Sequence, residues 1–200
     1  MKNYLKTAVL FLLIVLISGC ASTRPVHKPA PKNPVEAKKA ENYYLSGALY
    51  DFQDQYEKAL LEYYQALLYD STSAQILKAI GRNLIRTQRF ESAKEYLQRS
   101  LRYNPEDKET LYYLAEAYIN LKDYENSVVY LERLWHLAPF NSAVERNLID
   151  IYTFMGQDEK LMRFYEKLLD IHGYGDQISY NLFSLYLKEK QVDKARALLE

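Results

Sequence analysis

The residues able to do chemistry in this 200-residue chain are few: one cysteine, Cys20, and three histidines, His27, His136 and His172. Glu132 and His136 stand one helical turn apart and could share a metal ion, but no third ligand cluster follows, and a metal site needs one. The run Gly173, Tyr174, Gly175, Asp176 is glycine-rich, yet no strand precedes it and no lysine-serine pair follows to handle a phosphate, so it reads as a loop. Neither catalytic residues nor a bound metal or cofactor are expected, and the chain does not read as an enzyme. Cys20 is different because of its position. Lys2 and Lys6 lead into Thr7 to Ser18, almost wholly apolar, and Cys20 closes the run. Charge followed by a short apolar stretch is the layout of an export signal, and twelve residues fall short of the roughly 20 that span a bilayer. A single cysteine in an exported chain forms no internal disulfide.

The quartet Ile17, Ser18, Gly19, Cys20 resembles the lipobox of bacterial lipoproteins. The resemblance implies that residues 1–19 are a signal peptide, that lipid is attached to the Cys20 thiol, and that the mature chain begins there. Two or three acyl chains would hold it on a membrane nearly permanently. With Ala21 and Ser22 following, it further implies an outer-membrane lipoprotein facing the periplasm. Residues 20–39 hold Pro25, Pro29, Pro31 and Pro34 among Arg24, Lys28, Lys32, Lys38 and Lys39. That composition predicts an extended tether, at about 3.1 Å per residue. Of the 26 basic and 26 acidic residues, seven and one fall in residues 1–39, which leaves 19 and 25 in residues 40–200. A mildly acidic body argues against nucleic acid as a partner.

The elements that position the remaining side chains follow from an internal repeat. Ala59, Ala93, Ser127, Leu161 and Ala195 are spaced 34 residues apart, as are Tyr50, Leu84, Tyr118, Tyr152 and Tyr186, and Gly47, Gly81 and Ala115 form a third register. Within each unit the apolar residues recur at helical spacing in two blocks, such as Leu111, Leu114, Tyr118 and then Val128, Leu131, Leu134, Trp135, divided by a polar turn at Lys122 and Asp123. Two helices per unit follow, and such pairs bury their faces only by stacking on neighbours. The pattern resembles the tetratricopeptide repeat (TPR), best in the second and third units through Ile80, Gly81, Leu84, Phe90, Ala93, Leu97 and Pro105, and Leu111, Ala115, Tyr118, Tyr124, Leu131 and Pro139. The resemblance implies an all-α solenoid winding as a right-handed superhelix, with units 40–73, 74–107, 108–141, 142–175 and a partial 176–200. Ile149, Leu161 and Gly173 depart from the pattern and place the helix spacing of the fourth unit in question. The chain ends nine residues short of a fifth full unit, so the reading favours a longer native chain with a further C-terminal part.

Most of the 20 tyrosines fall on packing positions of the repeat. Tyr44, Tyr112 and Tyr180 recur at the fifth position of units one, three and five, with Lys78 and Arg146 between them in units two and four. In the family that position lines the concave face made by the first helices. The resemblance therefore implies a groove presenting Tyr44, Lys78, Tyr112, Arg146 and Tyr180, with Arg82, Arg86, Tyr113, Asn147 and Asn181 around them and Glu116 and Asp150 nearby. Aromatic area, guanidinium forks and amides suit a polypeptide carrying acidic and apolar anchors. The clamp by which family members grip a chaperone C-terminus is absent: Lys78, Arg82, Tyr113, Ala143 and Asn147 stand at its places. The expected function is a membrane-anchored scaffold that binds envelope proteins, in assembly of a secretion, pilus, cell-wall or polysaccharide-export complex. Glycan binding by the spaced tyrosines is the alternative. The sequence assigns no oligomeric state.

Overall fold

The computed structural model describes residues 33–173 and 175–199; Cys20, the lipobox and the tether up to Lys32 lie outside them. Among the described residues there are ten helices and no strand: α1 (Pro34–Phe52), α2 (Tyr56–Tyr69), α3 (Ala74–Arg86), α4 (Phe90–Tyr103), α5 (Lys108–Asn120), α6 (Tyr124–Leu137), α7 (Ser142–Phe154), α8 (Asp158–His172), α9 (Asp176–Lys188) and α10 (Val192–Ala197). None of them is long and apolar enough to cross a membrane. The first helix starts six residues before the expected unit boundary, so residues 34–39, read above as tether, are helical. The reason is local: Pro34 occupies the first helical position, where a missing N–H costs nothing, and the Asn33 side chain accepts from the Val35 amide at 3.0 Å.

Each junction repeats the same devices. Ser73, Asp107 and Asn141, 34 residues apart, cap α3, α5 and α7 by accepting from backbone amides at 3.4, 2.8 and 3.2 Å. Gly175 stands at the fourth such place and has no side chain to cap α9. Inside the units, Asp54, Gln88, Lys122 and Lys190 hold φ near +60°, and Gly156 does so at the corresponding place in unit four. One residue later the backbone N–H returns to the preceding helix, as in Arg89 to Leu84 at 2.8 Å and Asp123 to Tyr118 at 3.0 Å. The left-handed residue reverses the chain in a three-residue turn and sets the second helix against the first.

Small residues decide how close the pair comes. A Cβ on Gly47 would lie 2.7 Å from the Tyr63 ring, and one on Gly81 would lie 2.5 Å from Leu97 Cγ. Unit four carries Ile149 and Leu161 at the facing positions, and there α7 and α8 approach each other much less closely than the pairs of units one to three. Leu161 is nonetheless fully packed, because the backbones have moved apart to admit it. A continuous apolar core runs through all the units, from Ala40 and Tyr63 to Leu182 and Ala195.

A hydrogen bond repeats across the unit borders. Gln98 Nε2 donates to the Tyr118 hydroxyl at 2.8 Å, the Tyr152 hydroxyl donates to Glu132 Oε1 at 2.6 Å, and the Tyr186 hydroxyl donates to Glu166 Oε1 at 2.6 Å. Glu132, considered above as a metal ligand with His136, is thus engaged by the next unit. No group of three or more His, Cys, Asp or Glu side chains among the described residues is arranged to hold a metal ion.

Candidate protein-binding face

First helices α1, α3 and α5 stand side by side and a polar chain crosses them. Asp51 on α1 accepts from Tyr63 at 3.3 Å, from Asn83 Nδ2 at 3.1 Å and from the Arg82 guanidinium. Arg82 in turn lies 3.9 Å from Glu109, which also accepts from the Tyr113 hydroxyl at 3.3 Å. Lys78 Nζ reaches Glu109 at 2.6 Å and Asp107 at 3.2 Å. Burial alone would depress the Lys78 ammonium, but its hydrogen bonds to Glu109 and Asp107 hold it above its ordinary value. Burial likewise opposes ionisation of Asp107, yet the Thr110 amide and Lys78 keep its carboxyl low. Lys78 and Arg82, both expected to read a ligand, are therefore already neutralised by carboxylates of this chain.

Other groups on the same face are not. Arg86 and Lys108 make no ion pair or hydrogen bond among the described residues, and both line a cleft of about 470 Å³ with Tyr112, Tyr113, Glu116 and Asn141. A second cleft of about 430 Å³ shares Arg82, Arg86 and Tyr113 with it and is edged by Asp51, Phe52, Asp54 and Tyr56. Phe52, Lys108 and Asn141 were not singled out by sequence; their signal, the helix ends bordering the fifth-position row, becomes readable only with the register in hand. Glu116 is half-buried with no donor to its carboxylate among the described residues, and burial raises its pKa while nearby Arg86 opposes the rise.

The remaining expected positions separate into engaged and open. The Tyr44 hydroxyl accepts from Gln75 at 2.9 Å and its ring packs on Tyr63. Asn181 donates to the Tyr165 hydroxyl at 3.1 Å and accepts from Gln177 at 2.9 Å. Tyr112, 39 % exposed, packs edge-on against Tyr113. Tyr180 is 67 % exposed, Arg146 is exposed, and Asn147 is half-buried. None of these last three makes a side-chain hydrogen bond within the described residues. The open row is thus Arg86, Lys108, Tyr112, Arg146 and Tyr180: three cations and two tyrosines carried by helices α3, α5, α7 and α9.

Paired helices with small residues at the crossing and a 34-residue period are the decisive geometry. Residues 78–142 match the family model of the tetratricopeptide repeat. The TPR fold extends beyond that stretch. The YrrB structure, described as a TPR protein with an unusual peptide-binding site, is 20 % identical; the likeness covers 82 % of this chain and 86 % of that one, with a TM-score of 0.63. MamA is 18 % identical over 81 % of this chain and 88 % of its own, with a TM-score of 0.63. The first TPR of Spaghetti (RPAP3), bound to the HSP90 peptide SRMEEVD, is 19 % identical over 60 % and 95 %, with a TM-score of 0.58. At these identities the likeness is one of fold. No curated protein sequence matches the chain.

Proposed function

We propose that this chain is a lipid-anchored adaptor of the bacterial cell envelope that recruits a protein partner along its first-helix face. The observation that carries the reading is the division of labour on that face. Lys78 and Arg82 are tied into the fold by Asp107, Glu109 and Asp51, while Arg86, Lys108 and Tyr112 line the first cleft unpaired and Arg146 and Tyr180 stand exposed on α7 and α9. A surface that pairs some of its charges and leaves three cations next to exposed tyrosines suits a polypeptide with carboxylates and apolar side chains. Two similar TPR structures are described as peptide-binding, YrrB and the Spaghetti (RPAP3) domain. The anchor comes from Cys20 and its lipobox-like surroundings, with residues up to Asn33 as the tether, and the periplasmic face of the outer membrane is the expected address. The partner belongs to an envelope assembly such as a secretion, pilus, cell-wall or polysaccharide-export complex.

The test is cross-linking in the native cell with a photoreactive residue at position 112 and, as control, at position 102. Arg102 is exposed on a second helix. A discrete protein adduct at position 112 alone supports the adaptor and names its partner. Adducts at neither site remove the protein-binding reading and leave a glycan as the ligand to examine.

A further inference from the structure

Two positions of helix α1 that the second unit buries are open. Leu45 and Leu49 are 57 % and 58 % exposed. One unit on, Ala79 and Asn83 occupy the same places at 5 % and 0 %, covered by the helix of the unit before. Ala117, at the place of Leu49 in unit three, is also fully buried. A solenoid end normally presents a polar outer face, whereas α1 presents two leucines with Phe52, 88 % exposed, at their edge. Between Cys20 and Asn33 the chain offers one large aliphatic side chain, Val26, too little to cover them. With residues 1–19 removed, as the proposed lipoprotein reading has it, the cover comes from outside.

We infer that it is α1 of a second copy, packed antiparallel about a two-fold axis at the level of Gly47. The exposed stripe is Lys38, Asn42, Leu45, Leu49 and Phe52, spaced by four, three, four and three, the rhythm of a two-helix seam. Reflected through position 47, this stripe falls on itself: Leu45 meets Leu49 of the other copy and Asn42 meets Phe52. Lys38 then faces the end of the partner helix, where Asp54 follows and the last carbonyls carry the negative end of the helix dipole. Lys38 makes no ion pair among the described residues, and α1 has no basic residue in its last turn. An isologous contact of this kind closes on itself as a dimer. Both anchors can still reach one membrane, since α1 is about 28 Å long and a tether of that size extends roughly 40 Å.

The experiment uses the full chain with its own signal, co-expressed in two differently tagged copies and solubilised in excess detergent. The expected result is that one tag recovers the other copy, and that Leu45→Asp together with Leu49→Asp lowers the recovery at least tenfold while the thermal unfolding transition remains. Lys38→Glu lowers it as well, and adding Asp54→Lys restores it. Absence of co-purification overturns the inference, including the case in which the apolar residues of the N-terminal run cover α1 within one chain. Recovery indifferent to the two aspartates overturns the surface, and failure of the charge swap to restore recovery overturns the antiparallel register.

Discussion

At Gly81 the side chain of Leu97 leaves no room for a methyl group, so Gly81→Ala forces the helix pair apart. The expected loss is about 1–3 kcal/mol, read as a lower denaturant midpoint. Tyr152→Phe removes a hydroxyl bonded to a carboxylate, a contact worth about 1.5–3 kcal/mol at most, and the exposure of Glu132 places the expected loss at the low end. Glu132→Gln costs less, because Gln98 already makes the equivalent bond to Tyr118 in the unit before. The tyrosines also set an alkaline limit. Burial first, then Asp51, Glu132 or Glu166, holds the hydroxyls of Tyr63, Tyr152 and Tyr186 well above their ordinary 10.0. Above pH 10 the unfolded chain releases these protons and the folded chain keeps them, so the contribution is complete below pH 10 and is lost as pH rises through the folded values. Urea unfolding between pH 9 and pH 11 is expected to show falling stability, with a shallower slope in Tyr152→Phe.

The elements are where sequence and structure agree most closely. The 34-residue period, the glycines at the crossings and the apolar rows fix ten helices because each signal is local or recurs at one spacing. The start of α1 was less legible, since Pro34 and the lysines after it suit both a tether and a first helical turn until the Asn33 cap is seen. The open face was half legible. Lys78, Arg82, Arg86 and Arg146 look alike on paper; what separates them is whether a carboxylate waits on a neighbouring helix, as Asp107 and Glu109 do for Lys78. That distance in sequence is 29 to 31 residues, and it becomes contact only through the stacking of units. The turns make a prediction of their own. Gln88 holds a left-handed conformation that Gly156 supplies in unit four, so Gln88→Gly, which relieves about 1–2 kcal/mol of steric cost against up to about 1 kcal/mol of added chain entropy, is expected to leave the melting temperature unchanged or raise it.

Across the whole molecule, coupling passes only between neighbours, so its weakest joint matters. Ile149 and Leu161 hold α7 and α8 further apart than the earlier pairs, and α9 begins without a side-chain cap. Hydrogen exchange is expected to be faster in α7 to α10 than in α3 to α6, because local opening follows sparse packing. Equal protection throughout would show that the wider crossing transmits stability as well as the narrow ones. The open tyrosine and arginine of units four and five ride on this looser half, while Arg86, Lys108 and Tyr112 sit on the tighter one.

The bonds between Gln98 and Tyr118, Glu132 and Tyr152, and Glu166 and Tyr186 join residues at the same two places of successive units, and so do the caps at Ser73, Asp107 and Asn141. Excising residues 108–141 would therefore carry both devices across the new border: Gln98 would inherit Tyr152, and Asp107 would stand directly before Ser142, ready to cap α7 in place of Asn141. At these borders the bond and the cap are interchangeable parts, so a unit could be removed with both kept, at the cost of the Glu109 contacts to Lys78 and Arg82.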